Sequence, residues 1–314
     1  MTGAIGAAVA LIAGAALAVF TPASAQTMAD AVAELRAQDT RLQSIGWRLA
    51  HGNAPFCPDA APGAGLLLYD VRNFSASEQV RAALGITGQI AVGAVAAGSP
   101  AEDAGLRGNE EVIALGDEQM AALPDVPEGD TARVDGLHDR IDAALATRPA
   151  LTVTTPRGTY AITGEPACRA RFELVVERGQ ARSDGWRVQI GRDALDALAN
   201  DDELAALMAH ELAHAILRHR VRLDAARRTA RAVRETEREA DRLMPWLLRN
   251  AGYDPAAASR WVSGWLRKRD RGLLRAGTHD GWRDRLALVS AEVALVNATP
   301  GDGPVDWRGR VPAP

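Results

Sequence analysis

Residues 200–216 read Asn-Asp-Asp-Glu-Leu-Ala-Ala-Leu-Met-Ala-His-Glu-Leu-Ala-His-Ala-Ile, a pattern that predicts a helix. Asn200 is a natural N-cap, with Glu203 three residues on as its capping-box partner. Leu204, Leu207, Met208, Ala215 and Ile216 give an apolar stripe at helical spacing, and no Gly or Pro interrupts it. Residues four apart on a helix share a face. His210 and His214 therefore aim two imidazole nitrogens at one point, as ligands about 2.0–2.1 Å from a zinc ion would. Glu211 is carried to the side of that point, where a carboxylate can take a proton from water. Two ligands and a base are present, and a third ligand is needed.

A second helix, expected from about residue 225 to 248, offers one. Glu237-Arg238-Glu239-Ala240-Asp241 puts Glu237 and Asp241 four apart, so both face the same way. By itself this stretch reads as a solvated charged face, because Arg227, Arg228, Arg231, Arg234 and Glu235 crowd it. Coupled to the histidines it reads differently: Glu237 completes a His, His, Glu set with one position left open, as catalytic zinc requires. Asp241 is placed to accept the outer N–H of a ligand histidine.

His210–His214, then Glu237-x-x-Ala240-Asp241, then Ala251-Gly252-Tyr253-Asp254-Pro255 resemble the gluzincin metallopeptidases of the HtpX, Oma and CAAX-prenyl-protease group. The resemblance covers roughly Cys168 to Asn297. It implies one zinc ion held by His210, His214 and Glu237, Glu211 as the base, and Asp241 behind a ligand histidine. Thr278-His279-Asp280 with Arg285 is similar to a later Thr-His-Pro segment and arginine of that family, with Asp280 in place of the proline. This implies that Arg285 meets substrate or transition state. His279 either stabilises the oxyanion or occupies the open metal position and gates the enzyme; a solvated loop histidine is the plain alternative. Many relatives insert a longer hairpin before the third ligand, and the short polar link here points to a soluble version. His219, five residues past His214, is expected to be rotated off the ligand face into a surface or interhelix hydrogen bond.

A net charge of −4 and a pI near 5.9 argue against a nucleic-acid partner. Residues 3–20 are an uncharged Ala/Gly/Val/Leu-rich run followed by Thr21-Pro22-Ala23-Ser24-Ala25. This reads as an export signal with an Ala-x-Ala site, expected to release a chain that starts at Gln26. An uncleaved inner-membrane anchor facing the periplasm is the alternative, and no later segment is apolar enough to span. The chain has two cysteines, Cys57 and Cys168, and neither sits in a metal-binding spacing. In an exported protein they read as one disulfide.

Between the cysteines the pattern changes. Ile90–Val95 and Glu111–Leu115 read as strands, Val134–Ala146 as a helix, and Leu151–Thr155 with Thr159–Thr163 as a hairpin. The stretch Gly98-Ser99-Pro100-Ala101…Ala104-Gly105-Leu106 resembles that of a bacterial protease-associated PDZ domain, with Asn109-Glu110 where that family has Gly-Asp. Asn109 still suits a left-handed turn. The resemblance implies a groove that takes a C-terminal peptide as an added strand beside the Val134–Ala146 helix. Leu84, Gly85 and Ile86 are the best match to its carboxylate-binding loop. A small β-rich unit that binds nothing is the alternative.

These readings combine into an α+β chain: signal 1–25; an N-terminal helical segment 26–60 belonging with the peptidase; a PDZ-like unit 61–166, inserted and stapled at its neck by Cys57–Cys168; a mainly helical gluzincin domain with a small edge sheet, 167–300; and a loose tail 301–314. Gly185–Ile190 reads as the edge strand that would hold extended substrate. The implied function is zinc-dependent cleavage of exported, misfolded or unassembled polypeptides in the periplasm. The rival is a chaperone-like adaptor with a structural zinc site.

Overall fold

In the computed structural model of the chain, residues 22–175, 181–183, 185–198, 200–270, 278–301 and 303–312 are described; the run at residues 3–20 read as an export signal lies outside them. Helix α1 (Pro22–Asn53) leads past Cys57 into β1 (Ala60–Gly63), β2 (Leu66–Asp70), α2 (Ser77–Leu84), β3 (Ile90–Val95) and α3 (Pro100–Asp103). There follow β4 (Ala114–Leu115), β5 (Glu118–Gln119), α4 (Ala132–Thr147), β6 (Leu151–Thr155), β7 (Gly158–Ile162) and β8 (Glu165–Cys168). The chain then forms β9 (Arg171–Val175), β10 (Ala181–Ser183), β11 (Arg187–Gly191), α5 (Arg192–Ala197), α6 (Asp201–Ile216), α7 (His219–Ala225) and α8 (Ala230–Asn250). Helix α9 (Ala257–Trp261) passes through a π-helical turn, Val262–Leu266, into α10 (Arg267–Arg269), and α11 (Trp282–Ala298) closes the bundle.

The strands that enter and leave the middle segment pair with each other. β1 and β8 run antiparallel with Ala60 opposite Cys168 and Gly63 opposite Glu165. Cys57 and Cys168 are joined by a disulfide, Cα atoms 5.4 Å apart. Beyond this neck β2 pairs with β3, and β5-β4-β6-β7 form a four-stranded antiparallel sheet. Helix α4 lies beside β1 and β2. Only Ala114–Leu115 of the expected Glu111–Leu115 strand is regular, with Glu111 making a single bridge to Ala91. Asn109 takes a left-handed φ of 69°, as its short polar side chain permits.

Apolar burial falls into separate clusters. Leu68, Val92, Leu137, Ile141, Val153 and Ile162 fill the middle segment. The second, larger core gathers around α6, whose Leu204–Ala213 run is buried throughout. Leu42, Ile45 and Leu49 of α1 belong to that core, while Val32 packs on Val71, Val80, Leu84, Ile86 and Ala91. The N-terminal helix thus touches both parts.

The end of the chain differs from expectation. Trp307 is buried and donates from Nε1 to Asn53 Oδ1 at 3.1 Å, and Arg310 pairs with Glu292 at 3.0 Å. One large aromatic gains enough by burial to dock a Gly/Pro-rich tail that composition marks as loose. No helix among the described residues is long and apolar enough to cross a membrane.

Candidate metal centre

Helix α6 begins where its sequence dictates. Asn200 Oδ1 accepts from the backbone N–H of Asp202 at 2.8 Å and of Glu203 at 3.3 Å, satisfying groups the helix leaves unpaired. Acidic residues fill the first turn, in favourable relation to the helix dipole. α8 starts on Thr229, whose Oγ1 accepts from Ala232 N at 3.3 Å, and packs along α6.

The two helices bring three donors together. His210 Nε2 and His214 Nε2 are 3.3 Å apart. His210 Nε2 is 3.5 Å from Glu237 Oε2, and His214 Nε2 is 3.4 Å from Glu237 Oε1. Donors placed about 2.0–2.1 Å from a tetrahedral zinc lie about 3.3 Å from one another. The three observed separations fit that value, and among the described residues this is the group able to hold a metal. The donor chemistry, two imidazoles and one carboxylate with an open side, suits zinc.

Electrostatics follow from burial. Burial works against charge on His210, but Asp241 and Glu237 outweigh it and hold its pKa up at about 10. Burial, helped by the neighbouring His210, pushes His214 down to about 3 despite Glu237, leaving a neutral imidazole. Glu237 lies well below the usual carboxylate range, because His210, His214 and Arg285 overcome its burial. Glu211 is 7% exposed. Burial lifts it to about 7, and the pull of His210, of Arg285 and of the Ser183 backbone N–H does not cancel this. A carboxyl near neutrality is what proton transfer to and from water at physiological pH calls for.

Each site residue read from the sequence now has a place. Asp241 is fully buried, with Oδ1 3.2 Å from His210 Nδ1. Arg285 is buried and bound to Asp241. Its Nε and Nη2 donate to the two oxygens of Asp241, each at 2.7 Å, so it orients the carboxylate behind His210; Nη1 comes within 3.9 Å of Glu237 Oε2. A planar guanidinium meets a carboxylate best in this two-point geometry, and the fully buried Asp241 offers it. His279 does reach the centre, with Nε2 3.4 Å from Glu237 Oε2. Its loop is pinned by Arg238, which donates to Asp280 at 3.0 Å and more closely through Nε.

Gly185–Ile190 is not the sheet edge. β11 pairs with β9 on one side and β10 on the other, so β9 and β10 are the edges, and β10 packs against α6. Leu84 and Ile86 are buried against Val32 of α1, and Gly85 is the left-handed C-cap of α2. Those three residues do not line the space beside α4; Gly63–Leu66 do.

One feature went unread in the sequence, and one was read only in part: the interhelix hydrogen bond of His219 was among the expectations, its contact with His214 was not. Trp261 is buried against His210, ring centroids 5.5 Å apart, with the Arg285 guanidinium 5.8 Å from its ring. His219 is buried too, because Arg218 takes a left-handed φ of 51° and breaks the helix after α6. A continuous helix would have turned it away.

Residues 179–233 match the family model for peptidase family M48, which spans both histidines and Glu211 and ends four residues before Glu237. No curated protein matches the chain. The match covers the ligand helix, and the fold brings the carboxylate of α8 onto it at zinc spacing: the chain is a zinc metalloendopeptidase whose ligand-helix stretch is similar to peptidase family M48.

Proposed function

We propose that the enzyme cleaves extended polypeptides outside the cytoplasm, with Glu211 as the proton carrier and the segment between the cysteines as a recognition unit. His210, His214 and Glu237 would hold zinc, which when bound polarises the scissile carbonyl and lowers the pKa of water. Glu211, raised to about 7, takes the proton from the attacking water and returns it to the leaving amine. The β10 edge ends at Ser183, whose N–H reaches the Glu211 carboxylate; a substrate strand added to that edge would run past the base. His279 either steadies the developing oxyanion or closes the open metal position. The disulfide supports export to an oxidising compartment, the periplasm if the source is bacterial.

The observation that carries the reading is the buried Glu211 beside the three donors, since a purely structural site has no use for an unligated base. Glu211→Gln should keep zinc and fold while cleavage of an unfolded protein such as casein disappears. Parental cleavage by that variant would remove Glu211 from the chemistry, and zinc without cleavage in both proteins would favour a binding role.

The recognition reading rests on a cavity of about 640 Å3 at the neck, where Gly63–Leu66 face His138, Ile141 and Asp142 of α4. Leu68 N–H donates to His138 Nε2 at 3.2 Å, which marks the strand flank a peptide would take over. A short peptide with a free C-terminal carboxylate should bind the Glu211→Gln protein more tightly than its amide. Equal anisotropy curves for the two would sink the groove.

A further inference from the structure

His219 lies outside the ligand set, yet it touches one member of it. His219 Nδ1 is 2.8 Å from His214 Nδ1, and His219 Nε2 is 2.9 Å from Glu239 Oε2. Arg222 donates to both oxygens of Glu239, at 2.6 and 3.0 Å. His219 is 1% exposed and Glu239 6%, so water does not compete for these bonds.

The proton positions follow from the carboxylate. Glu239, with both oxygens clamped by the Arg222 guanidinium, is a carboxylate that only accepts, so His219 Nε2 must donate to it. A neutral imidazole that donates at Nε2 accepts at Nδ1. His214 therefore donates its Nδ1–H to His219, and its own Nε2 is left with a free lone pair. The reverse arrangement would set a bare imidazole nitrogen against a buried carboxylate, two acceptors face to face. His214 Nε2 is the atom that faces Glu237 and His210.

We propose that His219 is a positioning residue that fixes His214 in the tautomer presenting Nε2 to the metal, with Glu239 and Arg222 holding His219 in turn. The proposal rests on His214 being a metal ligand. The two ligand histidines then have parallel supports: His210 leans on Asp241 and Arg285, and His214 leans on His219, Glu239 and Arg222. Such outer partners orient the ring and make the ligand nitrogen more basic.

The test is zinc affinity of the metal-free full chain, by competition with a chromophoric chelator, for the parent, His219→Phe, His219→Asn and His210→Ala. Phe keeps the ring shape without the acceptor and should weaken zinc by about 10–100-fold. Asn places an oxygen where Nδ1 sits and should recover part of that loss, which a purely steric role would not. Parental affinity for His219→Phe, alongside loss in His210→Ala, overturns the proposal while leaving the metal site intact. Parental affinity for His210→Ala removes the ligand reading itself. If His219→Phe does not fold, long-range proton–nitrogen spectra of the zinc-loaded parent decide. His214 should carry its proton on Nδ1 and His219 on Nε2, and a proton on His219 Nδ1 overturns the assignment.

Discussion

Asp241 and Arg285 meet in a two-point ion pair with side chains 1% and 6% exposed. A pair this deep adds little over a well-packed apolar pair, but losing one partner strands the other charge away from water. Arg285→Ala should therefore destabilise the fold by about 3–5 kcal/mol, measured by chemical unfolding, and loosen His210 as well. A loss no larger than that of an exposed arginine would show that Asp241 finds another partner. The residue scale is also where the sequence was most legible. His210 and His214, and Glu237 and Asp241, pair by four-residue spacing, a geometric property of the helix, and Glu237 and Asp241 became readable only once coupled to the histidines. Arg285 was legible as important but not in its role, since side-chain direction depends on where α11 lies relative to α8.

At the scale of elements, the ligand helix was legible to its first residue because its cap and apolar run agree. Its end was not. Arg218 in the left-handed region starts α7 at a new angle, which lets His219 reach Glu239. The Arg218 side chain pairs with Asp59, 159 residues away in sequence, with Nη2 2.6 Å from Oδ1. The small sheet shows the same limit. The 187–191 stretch alternates like any half-buried strand, and alternation does not say whether a strand is central or at an edge. Only the pairing of β10 outside β11 decides it.

Across the whole molecule, α1 joins the two cores through a buried acid. Tyr69 of β2 donates to Asp39, which burial raises from 3.8 to about 6 although the Tyr69 bond pulls it down. The folded chain thus holds this proton more tightly than the unfolded one. Its contribution to stability is full below about pH 4 and is lost as pH rises through about 6, a change of about 3 kcal/mol at most. Asp39→Asn, which mimics the protonated acid, should gain on the parent between pH 5 and pH 7 in urea unfolding. A gap that stays constant with pH would count against Asp39. The neck was legible from two cysteines and a change of pattern; how α4 meets the catalytic sheet was not. It is set by long-range pairs such as Asp135 with Arg171 at 3.0 Å. One arrangement at the centre reaches further. The metal-facing Glu237 and the two backing carboxylates, Glu239 and Asp241, all ride on α8. A slide of that helix by a single residue, about 1.5 Å, would disengage ligand and both supports in one movement. The site therefore behaves as a three-toothed latch, and metal occupancy doubles as a gauge of the register between two helices.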